Sequence, residues 1–371
     1  MSDYFGKETP KLGFGLMRLP RVTVRIDVKQ TAAMVDKFLE AGFTYFDTAF
    51  VYVGSEAAAK KALVDRHPRV SHTLASKLNV MAAPTEKAAK KQFETSLKRT
   101  GAGYFDYYLL HALSSGSVDR YEKLGLWDYV KEQKEKELIK HIGFSYHDGP
   151  ELLDRLLTDH PEAEFVQLQI NYADWENPKV TSRANYEVAR KHNKGVVIME
   201  PVKGGRLADP PAEVKKLFTD YAPDASPASW AIRFAASLDG VITVLSGMSN
   251  LAQMEDNLGF MKDFKPLNGD ERAIIQKAQE ILGKSAAIPC TACRYCVEGC
   301  PKHIPIPGIF AAANKHLTNG QTAEAKADYQ AAVAGKGKAS DCVGCHQCEK
   351  MCPQHLPVVE QLAKCAGLLE K

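Results

Sequence analysis

The stretch Cys290-Thr-Ala-Cys293-Arg-Tyr-Cys296-Val-Glu-Gly-Cys300-Pro301 decides the fold of the C-terminal part of the chain. The same spacing, C-x2-C-x2-C-x3-C-P, returns at Cys342-Val-Gly-Cys345-His-Gln-Cys348-Glu-Lys-Met-Cys352-Pro353. The likeness continues past the last cysteine, where Pro-Lys-His-Ile-Pro matches Pro-Gln-His-Leu-Pro. Eight of the nine cysteines therefore belong to one internal repeat. The ninth, Cys365, stands in an apolar stretch, and we expect it to be a small buried side chain.

The cysteine spacing resembles that of bacterial two-cluster ferredoxins, in which the fourth cysteine of each run binds the other cluster. The resemblance implies two [4Fe–4S] clusters, one held by Cys290, Cys293, Cys296 and Cys352 and the other by Cys342, Cys345, Cys348 and Cys300. Two zinc sites remain as a lesser alternative, because zinc sites usually use two separated C-x2-C pairs. A disulfide framework is disfavoured, since nothing at the N-terminus resembles a secretory signal.

The bulk properties are those of an ordinary globular chain. It has 371 residues, a formal net charge of +3 and 45% hydrophobic residues. Apolar runs are shorter than a membrane span, and lysines are spread along helical segments, so we expect neither a membrane nor a nucleic-acid partner. Oxygen-labile clusters and reduced thiols favour a cytoplasmic location that is anaerobic or strongly reducing.

The first 280 residues alternate between short apolar segments and amphipathic stretches. Eight segments predict strands: Leu12–Leu19, Tyr45–Ala49, Thr73–Lys77, Tyr107–Ala112, His141–Ser145, Phe165–Asn171, Val196–Glu200 and Val241–Ser246. Eight stretches predict helices: Thr31–Ala41, Ser55–Val64, Thr85–Thr100, Tyr121–Glu137, Glu151–His160, Thr181–His192, Pro227–Leu238 and Leu251–Phe260. Eight β–α units over about 250 residues favour an α/β fold, a closed (β/α)8 TIM barrel. An open dinucleotide-binding sheet would show a G-x-G-x-x-G turn after its first strand, and this chain has none there.

Polar residues follow the predicted strands where a barrel would place its active site. Asp47 and Tyr52 follow the second strand, Lys77 ends the third and His111 ends the fourth. An ammonium beside a phenol lowers the pKa of the phenol, and a carboxylate keeps a buried ammonium charged. Each residue alone has an ordinary structural explanation. All four at successive strand ends predict a proton-relay site.

Those four residues resemble the catalytic Asp, Tyr, Lys and His of the aldo-keto reductases, and the resemblance covers nearly the first 260 residues. It implies Tyr52 as general acid, Lys77 as the residue that lowers its pKa, Asp47 as the partner of Lys77, and His111 as the residue that orients a substrate carbonyl. With the cysteines, it implies the subgroup that carries a C-terminal helical ferredoxin-like domain. The implied substrate is a small carbonyl compound or alcohol.

The same resemblance implies a nicotinamide cofactor, NADP(H) or NAD(H). Ser145 and Gln167 match the residues that bind the carboxamide, and Gly247, Ser249, Gln253 and Asn257 match the loop and helix that hold the adenosine phosphate. Three positions depart from the family pattern: Met199 stands where an aromatic residue often lies under the nicotinamide, Tyr146 replaces an asparagine, and no cation occurs at Met248 or Gln253. Lys203 or Arg206 are the alternative cations that the sequence offers. Trp127, Tyr172, Asp174 and Trp175 are candidates for the substrate loops, and each tryptophan could equally be a packing residue.

The two kinds of cofactor differ in electron number. A nicotinamide delivers two electrons as a hydride, whereas a cluster takes one, and a flavin usually connects the two. Three hypotheses follow. The first is NAD(P)H-dependent carbonyl reduction, or the reverse alcohol oxidation, with accessory clusters. The second is a ferredoxin-linked oxidoreductase that uses a flavin or radical step. The third is a non-catalytic nucleotide-binding redox sensor or electron carrier. We predict a barrel at residues 1–280 and a helical cluster domain at 281–371, and we leave open a flavin and a ferredoxin-type electron partner.

Overall fold

Eight parallel strands close into a barrel in the computed structural model, which describes residues 5–371. The strands, in the order around the barrel, are β1 (Leu12–Gly15), β10 (Val241–Ser246), β9 (Gly195–Met199), β8 (Phe165–Gln169), β7 (Ile139–Tyr146), β6 (Phe105–Leu113), β5 (Thr73–Leu78) and β4 (Tyr45–Asp47). A short antiparallel hairpin, β2 (Arg21–Val22) and β3 (Arg25–Ile26), follows β1. The predicted barrel is confirmed, and the carboxyl ends of the strands form one rim.

The helices between the strands surround the barrel. They are α1 (Val28–Glu40), α2 (Ser55–Ala59), α3 (Glu86–Thr100), α4 (Val118–Lys123), α5 (Leu126–Glu135), α6 (Pro150–Asp159), α7 (Ser182–Lys191), α9 (Pro227–Ala236) and α10 (Leu251–Met261). Their ends follow local sequence signals. The Thr85 side chain accepts a hydrogen bond from the Ala88 N–H at the start of α3, and Gly101, with φ of 64°, ends the same helix in the left-handed conformation.

The barrel strands read as nearly continuous apolar runs because both faces of each strand are buried. The interior is filled by side chains from six of the eight strands: Tyr45, Ala75, Tyr107, Leu109, Phe165, Val197, Ile242 and Leu245. Gly143 is required here, since a Cβ at this position would lie 2.6 Å from the Phe165 ring. The interior is therefore a packed core, and polar chemistry is confined to the rim.

The chain forms two compact units. The first comprises residues 5–177, 181–201 and 228–271, and the second comprises 178–180, 202–227 and 272–371. The second unit contains the remaining helices: α8 (Ala212–Tyr221), most of α11 (Gly269–Gly283), α12 (Tyr295–Glu298), α13 (Ile306–Asn319), α14 (Thr322–Val333), α15 (Gln347–Lys350) and α16 (Val358–Leu369). The predicted helical C-terminal domain is confirmed. Residues 202–227, which follow β9 in sequence, also belong to this unit.

The second unit has a core of its own. Apolar side chains of α13, α14 and α16, including Ile309, Phe310, Tyr329 and Leu362, are buried together, and five of the repeat cysteines pack against them. Cys365 is 2% exposed within this core, as its apolar surroundings predict.

Several predicted elements differ in detail. Leu16–Arg18 forms a 3-10 turn and not the end of a strand, which carries Arg18 out over the rim. The single helix predicted at Tyr121–Glu137 is two, divided at Gly125, whose φ of 58° breaks the helix. The hairpin β2–β3 and helix α8 had no sequence prediction.

Candidate active site and cluster sites

Asp47 and Lys77 form a buried ion pair at the rim of the barrel. Lys77 Nζ lies 2.5 Å from Asp47 Oδ1 and 2.8 Å from the carbonyl oxygen of Thr48. The two side chains are 0% and 4% exposed, for lysine and aspartate respectively. Parallel pairing of β4 with β5, with Asp47 opposite Ala75, brings the two strand ends side by side. The sequence prediction that these residues meet is thus matched by the geometry.

Burial acts on the two charges in opposite directions. It raises the pKa of Asp47 and lowers the pKa of Lys77, while the attraction between the two groups opposes both shifts. The second oxygen of Asp47, Oδ2, is buried and has no hydrogen-bond partner. The attraction between the two groups therefore opposes the tendency of burial to neutralise each of them.

Tyr52 and His111 lie beside this pair. Lys77 Nζ is 5.3 Å from the centre of the Tyr52 ring, and the Tyr52 and His111 rings are edge to face with centres 5.7 Å apart. Burial and the neighbouring positive charge of Lys77 lower the pKa of His111 well below its usual value. His111 therefore carries a neutral imidazole at neutral pH, with Nδ1 buried and unpartnered.

The backbone around His111 is held by side chains of neighbouring elements. The Tyr121 hydroxyl donates to the His111 carbonyl oxygen over 2.6 Å. Ala112, the next residue, has a φ of 58° at a point where the register of β6 against β7 shifts. The Ala112 N–H donates to Ser145 Oγ over 2.7 Å. This bulge directs the imidazole at the rim, a use of irregular strand ends that sequence periodicity does not show.

Ser145 and Gln167, the predicted carboxamide ligands, lie on adjacent strands, since Ser145 of β7 pairs with Gln167 of β8. Gln167 is 2% exposed, and its Oε1 is buried without a hydrogen-bond partner. An unpartnered buried amide oxygen is costly, so it fits a site that a donor group such as a carboxamide NH2 completes. Ser145 retains its hydroxyl hydrogen for donation, because its bond to Ala112 uses it as acceptor.

The loop after β10 is arranged by its own side chains. The Ser249 N–H donates to Gln253 Oε1, Ser249 Oγ donates to the Arg18 carbonyl oxygen, and Asn257 bridges Ser246 and the Gln253 carbonyl. Gln253 and Asn257 thus hold the loop shape that precedes helix α10. The N-terminus of α10, capped by Asn250, is a place where a phosphate group is favoured.

Arg18 supplies a cation that sequence analysis missed at this loop. A Cβ built on Gly247 would lie 3.4 Å from Arg18 Cδ, so the arginine stem runs along the glycine backbone. Its guanidinium lies 3.8 Å from Glu200 Oε1. The predicted alternatives lie elsewhere: Lys203 and Arg206 contact Gln354 and the Ile288 carbonyl oxygen, respectively, in the second unit. The proximity of Arg18 to this loop could not be predicted, because the two are far apart in sequence.

The predicted substrate residues are mostly packing residues. Trp127 is 4% exposed and stacks on His160, with ring centres 3.9 Å apart, so of the two roles that the sequence leaves open it has the packing role. Tyr172 and Asp174 are fully buried, and the ring of Trp175 packs against Tyr186 and Phe234. Tyr146, which replaces the family asparagine, is buried and donates its hydroxyl to the Gly149 carbonyl oxygen.

The repeat cysteines surround two cavities, each with about 330 Å³ of empty space, part of it open to solvent. The first is lined by Cys290, Cys293, Cys296 and Cys352. The second is lined by Cys342, Cys345, Cys348 and Cys300. Burial raises the pKa of Cys296 to about 12, and the thiols of Cys293, Cys290 and Cys352 add to the shift. Each cavity therefore takes three cysteines from one copy of the repeat and the fourth from the other copy.

The two copies share an unusual backbone. Ala292, Arg294 and His303 have positive φ, and so do their counterparts Gly344, His346 and His355. This left-handed conformation curls the chain so that backbone N–H groups face the cysteine sulfurs; the Ala292 N–H lies 3.4 Å from Cys290 Sγ. Hydrogen bonds of this kind stabilise a cluster and set its potential.

The cavities fit a group larger than one ion. Within residues 5–371, no three Cys, His, Asp or Glu side chains converge as ligands of a single metal ion would. Four thiols spread around one cavity match a cubane, in which each thiolate binds a different iron atom.

Comparison with known proteins agrees with this architecture. Residues 11–280 match the aldo/keto reductase family, and residues 289–356 match the 4Fe-4S dicluster domain. The chain belongs to the aldo/keto reductase family. It is an oxidoreductase with an iron–sulfur domain, as the two motifs predict.

Curated aldo/keto reductase relatives align with the barrel. Methylglyoxal reductase DkgA of Yersinia pestis is 26% identical over 276 residues, which are 74% of this chain and 90% of that protein. The 9,11-endoperoxide prostaglandin H2 reductase of Trypanosoma cruzi is 23% identical over 270 residues, or 71% of this chain and 86% of the relative.

Solved aldo/keto reductase structures share the barrel fold. The holo form of an enzyme from Bacillus halodurans superposes with a TM-score of 0.59 at 24% identity, covering 74% of this chain and 95% of that one. A Klebsiella pneumoniae enzyme in complex with NADPH gives a TM-score of 0.60 at 19% identity, covering 75% and 95%. Among the helices of the described part of the chain, none is long and apolar enough to cross a membrane.

Proposed function

We propose that the barrel reduces a small carbonyl compound with NAD(P)H, or oxidises the corresponding alcohol, with Tyr52 as the general acid. The observation that carries this proposal is the buried Asp47–Lys77 pair beside Tyr52 and His111. A sensor or passive carrier would have no use for a charged pair buried next to a phenol and an imidazole, because burying the pair has a desolvation cost.

The proton comes from Tyr52. A phenol has an ordinary pKa of about 10 and is a weak acid at neutral pH. An ammonium nearby favours the phenolate, so Lys77 lowers the cost of proton release to the forming alkoxide. Burial lowers the pKa of Lys77, and Asp47 opposes that shift, so the carboxylate favours the ammonium form. In this proposal Asp47 stabilises the ammonium of Lys77, and that ammonium stabilises the phenolate of Tyr52.

His111 positions the substrate. Its lowered pKa leaves the imidazole neutral. A neutral imidazole carries one N–H, which can donate to a carbonyl oxygen while the other nitrogen stays unprotonated. With the Tyr52 hydroxyl, His111 would hold the carbonyl oxygen from two sides.

The nicotinamide cofactor, when bound, supplies the hydride. Gln167 Oε1 and the Ser145 hydroxyl would hold its carboxamide, and this choice rests on the unpartnered Gln167 oxygen. Gly247, Ser249 and the N-terminus of α10 would receive the phosphates, with Arg18 beside Gly247 as the positive charge. Gln253 and Asn257 support that loop through their side-chain hydrogen bonds.

The second unit would hold two [4Fe–4S] clusters, one in each four-cysteine cavity. Because each cluster exchanges one electron and the barrel reaction moves a hydride, we propose that carbonyl reduction does not pass through the clusters. The clusters then form a separate one-electron site for a ferredoxin-type partner.

The proposal is tested by Tyr52→Phe, assayed anaerobically for NADPH oxidation with methylglyoxal as the probe carbonyl. We expect kcat to fall by about 10²- to 10⁴-fold, the usual contribution of a general acid. The matched control is Tyr186→Phe, which removes a hydroxyl that donates to the Asp239 carbonyl oxygen. Full activity in Tyr52→Phe would refute the assignment of the acid.

A further inference from the structure

The two cysteine cavities differ in the residue at one equivalent position of the repeat, which is charged in one cavity and neutral in the other. In the repeat, Lys302 and Gln354 are equivalent, each standing two residues after the cysteine that crosses to the other cavity. Lys302 lines the second cavity, and Gln354 lines the first. The first cavity therefore has a neutral amide where the second has an ammonium.

The ammonium of Lys203 lies beside Gln354, the neutral residue at the first cavity. Its Nζ lies 3.5 Å from Gln354 Oε1, in a buried contact within the second unit. Lys203 is 6% exposed and Gln354 is 5% exposed. A lysine from the segment that follows β9 thus stands where the repeat lacks one.

The segment around Lys203 is fixed against the first cysteine motif. Gly204 has a φ of 65°, and a Cβ there would lie 2.3 Å from the Thr291 carbonyl oxygen, so only glycine permits this approach. Arg206 donates to the carbonyl oxygen of Ile288, two residues before Cys290. Lys203 itself has a φ of 48°, which is unusual for a side-chain-bearing residue. This close packing holds the ammonium in place.

The charged residues that line the two cavities are exposed, and the half-buried carboxylate of Glu349 acts on Cys348 and Cys352. Arg294 lines the first cavity, and Lys302 and His346 line the second, all at the surface. His346 also lies 2.7 Å from Glu349 Oε2. Solvent screens such charges, whereas a buried ammonium acts through a low effective dielectric. Lys203 does not itself line the first cavity; it places a buried positive charge against Gln354, which does.

We infer that Lys203 raises the reduction potential of the cluster in the Cys290, Cys293, Cys296 and Cys352 cavity and makes it the more easily reduced of the two. This inference rests on the proposed clusters. On reduction, a [4Fe–4S] cluster with four thiolates gains one electron, its charge changes from −2 to −3, and no bond or proton changes. A nearby positive charge favours the more negative state, and net charge near a cluster is one of the levers that set its potential.

The test is an anaerobic potentiometric titration of the full-length protein with dithionite and mediators, followed by electron paramagnetic resonance. Lys203→Gln should decrease the equilibrium constant for reduction of one cluster by about tenfold, which is about 59 mV for one electron, and leave the other unchanged. Lys302→Gln, the matched variant at the exposed lysine, should move the other potential by less. Lys203→Arg, which keeps the charge, should stay near the unmutated value.

A second variant is measured in case Lys203→Gln loses its iron and its potential cannot be determined. Gln354→Glu keeps the side-chain size and pairs the ammonium with a carboxylate, so it should lower the same potential. The inference is overturned if neither Lys203→Gln nor Gln354→Glu moves a potential, or if Lys203→Gln and Lys302→Gln move the same one. Iron and acid-labile sulfide analysis of the unmutated protein distinguishes failure of the proposed clusters from failure of the inference about Lys203. If it finds zinc in place of clusters, the proposed clusters fail; with both clusters present, an unmoved potential refutes the role of Lys203 alone.

Discussion

Lys77 Nζ lies 2.5 Å from Asp47 Oδ1 at the rim of the barrel, and both side chains are shielded from solvent. The two residues come from adjacent parallel strands and meet because the ends of those strands are in register. The charge state of this pair controls the acidity that we propose for Tyr52.

Asp47→Asn should shift the pH profile of kcat. Burial lowers the pKa of Lys77, and Asp47 raises it. Without the carboxylate, the pKa of Lys77 falls further, the ammonium is lost at a lower pH, and activity therefore declines at a lower pH than in the unmutated enzyme. The measurement is kcat against pH with saturating NADPH, with Asp36→Asn as the control at a surface pair with Arg66. An alkaline limb that does not move would show that Asp47 has no influence on the acid.

Gln167→Leu and Arg18→Met should have different effects on cofactor binding. Gln167→Leu removes the unpartnered amide oxygen, so KM should rise about tenfold for NADPH and NADH alike. Arg18→Met removes the cation beside Gly247, so KM should rise and lose much of its salt dependence. Arg21→Met, in the hairpin, is the control for Arg18. Unchanged KM values for both cofactors in Gln167→Leu would argue against the carboxamide site.

Iron content should show which cysteines share a cluster. If Cys296 and Cys352 hold the same cluster, Cys296→Ala and Cys352→Ala should each lose about half of the iron, and combining them should cause no further loss. Combining Cys296→Ala with Cys348→Ala affects both clusters and should remove nearly all of the iron. Cys365→Ala, in the apolar core, should keep the full content. Complete loss of iron in the Cys296→Ala, Cys352→Ala double variant would mean that each repeat holds its own cluster.

His72 should make the barrel less stable at acidic pH. Burial and the charge of Arg69 lower the pKa of His72 to about 4, and the side chain is buried. The unfolded chain binds this proton below its ordinary pKa of about 6.5, so the stabilisation is lost as the pH falls from there towards 4. Between pH 6.5 and 5, the free energy of unfolding should fall by about 2 kcal/mol more than in His72→Leu.

Urea unfolding followed by tryptophan fluorescence measures this difference, because all three tryptophans, Trp127, Trp175 and Trp230, belong to the first unit. Equal pH dependence in His72→Leu and the unmutated protein would contradict the neutral, buried state of His72.

Much of this arrangement could be predicted from local patterns. Alternation of apolar and amphipathic segments predicts the barrel. The resemblance of the repeat to two-cluster ferredoxins implies that Cys352 joins Cys290, and both residues line the same cavity. Arg18 and Lys203 could not be predicted, because each acts through a contact distant in sequence: Arg18 with Gly247, and Lys203 with Gln354. The sequence leaves Trp127 open between a substrate loop and a packing role, because an aromatic residue looks the same in both settings. Its stacking on His160 is visible only in three dimensions.

The most direct test of the central claim is an anaerobic ultraviolet–visible spectrum of the purified protein, recorded before NADPH, after NADPH, and after methylglyoxal. The proposal predicts a broad brown cluster absorption that stays unchanged while the nicotinamide band decreases only when the carbonyl is added. Bleaching of the cluster band by NADPH alone would contradict it, because electrons would then pass from the nicotinamide to the clusters, and a flavin should be sought between them.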